Sequence, residues 1–332
     1  MTSSEIKAKA RELGFDACGI APAANHPELS FYREWLDRGY AGDMAYLHRT
    51  ADRRADVRHV VPSARTVICT ATVYNTDRPY SIESADGRQA EIARYAWGDD
   101  YHDVIGGRLE ELLCWMRASS AEPFDARAYV DTGPIQERVY AQYAGIGWIG
   151  KNTCVINPRL GSWIFLAEIV CSLPLEVDAP ALDQCGTCTL CLEACPTDAL
   201  VAPGVLDSTR CISYLTIELR GDIPVARRAG IGAHVGDARP QRVERAFGGV
   251  ADDELRADVV ADDRRETRGL FVVRFDGQND RHRKDYVRNM NITRTAAATP
   301  KISIGAFAKL WSRTAAYRMC AMWLACCDAS AR

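Results

Sequence analysis

The sequence predicts a fold of mixed helices and strands, in which an α/β core extends to about residue 180 and a cysteine-rich segment follows. Two stretches, 65–74 and 162–173, are apolar and rich in β-branched residues, as strands buried in a sheet are. Residues 100–119 place leucines and a methionine on one face of a helix. Strands that alternate with helices in this way are typical of an α/β core.

The other elements follow in chain order. Residues 4–13 carry apolar positions at helical spacing, and Gly14 is typical of a helix C-cap. The rest of the core is predicted as a strand at 15–20, two short helices within 27–50, a strand at 125–133 and a helix at 135–144. Residues 226–285 are rich in Arg, Asp, Ala and Gly without a sustained period, so we predict no elements there. An apolar helical pattern returns at 304–327.

Composition limits the class of protein. The 332 residues suffice for two or three domains, and 47% hydrophobic with 26% charged residues is ordinary for a soluble protein. The net charge is -3, so the molecule as a whole does not attract nucleic acid, and any nucleic acid would have to bind to a local basic surface. The polar N-terminus predicts no secretory leader, and no apolar run reaches the roughly 20 residues of a membrane span. Thirteen cysteines without a leader predict a reducing, cytoplasmic compartment and metal ligation instead of disulfides.

The run CGTCTLCLEACP places Cys185, Cys188, Cys191 and Cys195 at the spacing found in iron–sulfur proteins, with Pro196 directly after them. This spacing lets three thiolates converge on one 4Fe–4S cluster, while the fourth cysteine serves a second cluster. The alternative is a zinc site built from two C-x-x-C hooks, although zinc ribbons separate their hooks further. The pattern therefore predicts one-electron chemistry.

Polar side chains are concentrated between residues 130 and 170. Asp131 follows a predicted strand and precedes a Gly-Pro turn, at a sheet edge where α/β proteins bind ligands. A carboxyl group there can donate a proton when burial raises its pKa toward neutrality, whereas an Asx-turn or a helix N-cap is the structural alternative. The segment GIGWIGKNT lets the backbone approach a large ligand and offers Lys151, Asn152 and Thr153 as polar donors.

Six motifs occur in order along residues 1 to about 225: LGFDACGIAPA, WLDRGYAGDMAYL, YAWGDDYH, DTGPIQERVYAQYAGIGWIGKNTC, CGTCTLCLEACPTDAL and LDSTRCISYLTIELRGDIP. Together they resemble the epoxyqueuosine reductase family. The resemblance implies an α+β fold with a nitroreductase-like α/β cobalamin-binding domain at 1–175, a ferredoxin-like 4Fe–4S segment at 176–225 and a tail at 226–332, which is helical and HEAT-like in the family. It implies a reductase that uses cobalamin and two clusters to convert epoxyqueuosine to queuosine at the wobble position of tRNA.

The resemblance also assigns roles to individual residues. Asp131 matches the proton donor of the family. The ligands of the first cluster match Cys185, Cys188 and Cys191, and ligands of the second match Cys195 and Cys211. The residues implied to contact cobalamin are Arg54, Tyr101, Lys151, Asn152 and Thr153. His102 lies next to Tyr101. Considered by itself, it is typical of a histidine that is solvated or already hydrogen-bonded. The implied partners are tRNA carrying epoxyqueuosine and an external electron donor, with no membrane and a monomeric chain.

The tail departs from the family. Two clusters need eight thiolates, and residues 185–211 supply five. The family takes three more from a second cysteine run after a His-Val phrase, whereas this chain continues from GAHV into GDARPQRVERAFGG. The later Cys320, Cys326 and Cys327 lack the spacing. We hypothesise that the reading frame shifts near residue 235, because such sequence is typical of out-of-frame translation of a GC-rich gene. A divergent tail with other ligands is the alternative.

Two other functions stay open at this point. One is a corrinoid reductive dehalogenase that acts on a small organohalide, and the other is an electron carrier or an inactive paralogue with incomplete clusters. The pairing of DTGP with GIGWIGKNT, and the expected lack of an export signal, favour the tRNA-modifying reductase. A run of arginines could bind the phosphates of tRNA, or it could be a solvated surface. It comprises Arg220, Arg227, Arg228, Arg239, Arg242 and Arg245.

Overall fold

A computed structural model describes residues 1–78, 80 and 91–232, together with the backbone of four later strands. The helices are α1 (Ser3–Glu12), α2 (Pro27–Asp37), α3 (Ala45–Arg49), α4 (Ala51–Ala55), α5 (Tyr101–Ser119), α6 (Glu137–Tyr143), α7 (Leu190–Glu193) and α8 (Val225–Ile231). The strands of the well-described part are β1 (Ala17–Pro22), β2 (Thr66–Val73), β3 (Glu91–Ile92), β4 (Ala126–Val130), β5 (Trp148–Ile149), β6 (Val155–Ile156), β7 (Ile164–Cys171), β8 (Leu200–Ala202) and β9 (Val205–Leu206). The later strands are β10 (His234–Val235), β11 (Ala257–Ala261), β12 (Leu270–Phe275) and β13 (Asp285–Asn289).

The central sheet has four strands in the order β1-β2-β7-β4, and all three pairings are antiparallel. The predicted strands and helices of the core are confirmed, with ends that differ by a few residues. The mixture of helix and sheet is confirmed too. The antiparallel pairing differs from the usual α/β arrangement, however, so the rule that ligands bind at the carboxyl ends of parallel strands does not explain the position of Asp131.

Helices cover both faces of this sheet, because successive side chains of a strand point to opposite sides. One face, which includes Ile68 and Ile169, packs against α1 and α5 in a core of aliphatic side chains. The other face, which includes Cys69 and Val170, packs against α6 and the segment that follows α4. The residue before Ile169 is Glu168, so a carboxyl group lies in the second core.

The chain divides into two compact units. The first contains residues 1–76 and 101–211, and the second contains residues 77–100 and 212–332. Every site residue predicted from the sequence, from Arg54 to Cys211, belongs to the first unit. Within the second unit, β3 pairs with β10 in parallel.

The prediction of no elements within 226–285 was wrong. The strands β11 and β12 pair in antiparallel fashion within this range, β13 continues their sheet from Asp285 onward, and α8 covers Val225–Ile231. The reason is local, since the segments ADVVA and LFVVRF are short β-branched runs that a search for a sustained period overlooks. The predicted helix at 304–327, with its three cysteines, lies outside the described residues. Across the ranges described, no helix combines the length and the apolar character that crossing a bilayer requires.

Candidate active site and cluster segment

Asp131 is held at the end of β4 in a conformation that few residues adopt. Its φ is 57°, in the left-handed region, where Asp is among the better tolerated non-glycine residues. The side chain is buried, and the Tyr101 hydroxyl donates a hydrogen bond of 2.7 Å to Oδ2. The other oxygen, Oδ1, is buried without a hydrogen-bond partner among the described residues. Strained backbone and unsatisfied buried oxygens are concentrated at functional sites.

An aromatic stack positions the hydroxyl that meets Asp131. The Tyr101 ring lies 4.2 Å from the Phe165 ring of β7, nearly parallel to it, and 4.1 Å from the His102 ring. His102 Nε2 lies 3.4 Å from Asp131 Oδ2, an ion pair when the imidazole is protonated. Sequence reasoning gave His102 no role. The only signal was its place beside Tyr101 in the DDYH group, because the contact with Asp131 depends on tertiary structure.

Arg54 braces the loop that follows Asp131. Its guanidinium is buried and donates to the carbonyl of Ile135 at 2.8 Å and to that of Gly133 at 3.1 Å. Burial lowers the pKa of Arg54, and nearby Tyr32 and Glu137 partly oppose that effect. The predicted corrin contact of Arg54 stays a prediction, and what the structure adds is a bracing role in the Asp131 loop.

Gly133 lets this loop pack tightly. A β-carbon at Gly133 would lie 2.6 Å from Cγ of Tyr129, so any larger residue would push the loop off the ring. The Asp131 loop is therefore fixed from two sides, by the Arg54 hydrogen bonds and by the contact with Tyr129.

The glycine-rich segment forms a tight β-hairpin, in which β5 pairs with β6. A β-carbon at Gly147 would lie 2.4 Å from the carbonyl oxygen of Ile156, so only glycine fits there. At the turn, Thr153 has a φ of 63°, and buried Asn152 accepts a hydrogen bond from the backbone N–H of Cys154. Lys151 reaches away from the hairpin, and its ammonium donates to the carbonyls of Gly186 and Cys188.

The predicted cluster ligands fall into two groups by burial. Cys185, Cys188 and Cys191 lie at the surface or half-buried, where the N–H of Cys188 donates to the carbonyl of Cys185. Burial raises the pKa of Cys191, and the neighbouring Cys185 and Cys188 raise it further. Cys195 and Cys211 are buried, and the backbone N–H of Ala199 donates to the Cys195 sulfur.

The predicted ligand set consists of thiols. Among the residues that the structure describes, no group of three or more Cys, His, Asp and Glu side chains is arranged to hold a metal ion. No disulfide joins the described cysteines, and thiolates are the ligands that iron–sulfur clusters take. The preference for a cluster over zinc therefore depends on the spacing of the cysteines in the sequence.

Two family models match the chain. A model described as epoxyqueuosine reductase QueG matches residues 54–132, the segment that contains Arg54, Tyr101 and Asp131. A model described as a 4Fe-4S double cluster binding domain matches residues 184–236, which contain the five cysteines. The first segment lies in the domain that holds the acid, and the second covers the predicted cluster ligands.

Individual proteins agree with these models. Epoxyqueuosine reductase of Gloeobacter violaceus is 49% identical over 228 residues, which are 68% of this chain and 69% of that protein. A solved epoxyqueuosine reductase bound to an epoxyqueuosine-modified tRNA-Tyr stem loop has a TM-score of 0.61 and 31% identity, covering 70% of this chain and 61% of the other. The Bacillus subtilis enzyme, solved with its aspartate catalytic loop swung out of the active site, has a TM-score of 0.58, 31% identity and the same coverages.

The buried acid and the predicted cluster ligands lie in one compact unit, and a cysteine segment that matches a 4Fe-4S double cluster binding domain is typical of iron–sulfur oxidoreductases. The relatives specify which one. The chain belongs to the epoxyqueuosine reductase family, and it spans about 69% of the Gloeobacter relative and 61% of the solved structures.

Proposed function

We propose that the chain reduces epoxyqueuosine in tRNA to queuosine, with Asp131 as the proton donor. The observation that carries the proposal is the state of this carboxyl group. It is buried in a left-handed backbone conformation, with Oδ2 bound by Tyr101 and Oδ1 unpartnered. The chain that contains this carboxyl group is 49% identical, over 228 residues, to a protein named epoxyqueuosine reductase. The aspartate catalytic loop of the Bacillus subtilis relative supports the same role.

The reaction needs an acid at a fixed position. Converting an epoxide to an alkene consumes two electrons and two protons and releases the oxygen as water. Asp131 can carry one proton on Oδ1, because Oδ2 already accepts the Tyr101 hydroxyl. A protonated His102, 3.4 Å from Oδ2, would stabilise the carboxylate that remains after Oδ1 has given up its proton.

The family resemblance implies cobalamin and iron–sulfur clusters, and the cysteine segment offers thiolate ligands for the clusters. Cobalamin, when bound, would supply strongly reducing cobalt, and the clusters supply single electrons. Tyr101, Arg54 and the Lys151–Thr153 turn are the residues that we expect near the corrin. Cys185, Cys188 and Cys191 would hold one cluster. Cys195 and Cys211 would contribute to a second.

The substrate follows from the relatives. One relative is solved with an epoxyqueuosine-modified tRNA stem loop, which supports tRNA as the partner of this chain. A tRNA substrate also favours a cytoplasmic location. Three arginines of the basic run are described: Arg220 is exposed, while Arg227 and Arg228 are half-buried. The other three, Arg239, Arg242 and Arg245, lie outside the described residues.

The dehalogenase alternative gains no comparable support. Relatives at 40–49% identity carry the name epoxyqueuosine reductase. The inactive paralogue is a distinct outcome that one experiment can identify.

The test uses the full chain, reconstituted anaerobically with iron, sulfide and cobalamin. Iron and cobalt are quantified, and a tRNA stem loop that contains epoxyqueuosine is incubated with a chemical reductant. We expect queuosine among the nucleosides resolved by mass spectrometry. Asp131→Asn should retain cobalt and lose about 100-fold or more in rate, the usual contribution of a positioned acid. Asp37→Asn, which changes an exposed carboxyl of α2, is the matched control.

Two results would contradict the proposal. Turnover by Asp131→Asn at the wild-type rate, with cobalt bound, would exclude Asp131 as the donor. A wild-type chain that takes up neither corrinoid nor iron would identify an inactive paralogue.

A further inference from the structure

Lys151 links the β5–β6 turn to the cysteine-rich segment. Its Nζ donates to the carbonyl of Gly186 at 2.7 Å and to the carbonyl of Cys188 at 2.9 Å. Its own carbonyl accepts a hydrogen bond of 2.8 Å from the N–H of Gly204. A single residue thus contacts the segment at two places, one inside the first cysteine turn and one in the β8–β9 hairpin.

The turn that carries Lys151 is itself rigid. The N–H of Gly150 donates to the carbonyl of Cys154, and the N–H of Thr153 donates to the carbonyl of Gly150, both at 2.8 Å. Asn152 closes the turn from within, where it is buried and bonded to the backbone. The backbone of Lys151 is therefore held in place. Its two side-chain hydrogen bonds then fix the cysteine turn relative to the β5–β6 hairpin.

The charge of Lys151 has a second consequence. Reduction of an iron–sulfur cluster adds one negative charge, and hydrogen bonds and charges near the sulfurs set the potential at which this occurs. An ammonium that touches the carbonyls of Gly186 and Cys188 lies directly beside the turn whose thiolates are the predicted ligands. A fixed cation at that place favours the reduced cluster by Coulomb attraction.

We propose that Lys151 is a positioning residue for the first cluster: it fastens the Cys185–Cys188 turn to the β5–β6 hairpin and places a positive charge beside the turn that would hold the iron and sulfur. The proposal depends on the proposed function only in that a cluster forms at this turn. The fastening is independent of the cluster, because the hydrogen bonds join protein atoms alone.

The fastening is tested on the full chain by hydrogen–deuterium exchange with mass spectrometry, without added metal. The reporters are the N–H groups of Cys188 and Leu192, which are hydrogen-bonded within the segment. Lys151→Met should exchange about tenfold faster in peptides that cover 185–195, since hydrogen bonds from charged donors are the stronger ones. Lys151→Arg should restore protection, because a guanidinium keeps the charge and the donors. Equal exchange in Lys151→Met and the wild type would overturn the fastening.

The charge is tested by a potentiometric titration of the reconstituted cluster. Lys151→Met should shift the midpoint potential to a more negative value, and Lys151→Arg should return it toward wild type. Lys9→Met, which removes a lysine paired with Glu12 on α1, is the control for the loss of one positive charge. The same midpoint in Lys151→Met and the wild type would overturn the electrostatic role. Because neither measurement uses tRNA or cobalamin, a chain without reductase activity would refute the proposed function and leave both results interpretable.

Discussion

Glu168 gives the sharpest prediction about the interior of the sheet. It lies in β7, 1% exposed, and neither of its oxygens has a hydrogen-bond partner among the described residues. Across the strands it pairs with Cys69 of β2 and Tyr129 of β4. Burial raises the pKa of Glu168 well above its ordinary value, and the negative charges of Glu137 and Asp131 raise it further. The folded chain therefore keeps this carboxyl protonated to a higher pH than the unfolded chain does.

The sign of the pH dependence follows from proton release. In the unfolded chain Glu168 ionises near the ordinary glutamate pKa of about 4.3, whereas in the folded chain burial raises its pKa well above the ordinary value. Between these two values the unfolded state binds fewer protons, so the free energy of unfolding falls as pH rises. The slope reaches at most about 1.4 kcal/mol per pH unit, in the pH range where the carboxyl is ionised in the unfolded chain and protonated in the folded chain.

Glu168→Gln removes this dependence, because the amide has nearly the same shape and stays neutral. The assay is urea unfolding at pH 5, 6 and 7, followed by tryptophan fluorescence. The stability of the variant relative to wild type should improve as pH rises from 5 to 7, by up to about 1.4 kcal/mol per pH unit, and any constant cost of the amide cancels in that difference. Glu110→Gln, which changes an exposed carboxyl of α5, controls for the substitution itself. The same difference between variant and wild type at pH 5 and pH 7 would refute a protonated Glu168.

Two further predictions concern the loop after Asp131, and the same urea assay measures both. Gly133→Ala should lower stability by about 1–3 kcal/mol, because the new methyl group would lie 2.6 Å from the Tyr129 ring; unchanged stability would show that the loop yields freely. Arg54→Met should cost about 3 kcal/mol or more, since hydrogen bonds from a charged group contribute about 1.5–3 kcal/mol each and two loop carbonyls lose theirs. Arg54→Lys is the matched variant, and a loss as large as that of Arg54→Met would show that charge alone does not hold the loop.

Local patterns were sufficient for the secondary structure of the core. The apolar run at 65–74 became β2 (Thr66–Val73), and the amphipathic run at 100–119 became α5 (Tyr101–Ser119). Strand pairing could not be read in the same way, because periodicity reports which face of a strand is buried and says nothing of the direction of its neighbour. The antiparallel order β1-β2-β7-β4 therefore emerged only from the structure.

The site was predictable in its residue types but not in its contacts. The cysteine spacing and the DTGP turn singled out the ligand run and Asp131 before any geometry was known. The hydrogen bond from Tyr101 to Asp131 depends on a stack of Tyr101 with Phe165, two residues 64 positions apart that no local pattern connects. Lys151 shows the same limit, since its partners lie 35 and 37 positions further along the chain.

The energetics of Asp131 argue that its place serves chemistry instead of folding. A left-handed conformation costs a non-glycine residue about 1–3 kcal/mol, and a buried polar atom without a partner costs a similar amount. Glycine would adopt the φ of 57° without strain and would bury no carboxylate oxygen. The fold instead holds an acid there, through the guanidinium of Arg54 on the loop carbonyls and the contact of Gly133 with Tyr129. Two restraints that hold a carboxyl group in this strained and partly unsatisfied state are what we expect if Asp131 meets the substrate, as proposed above.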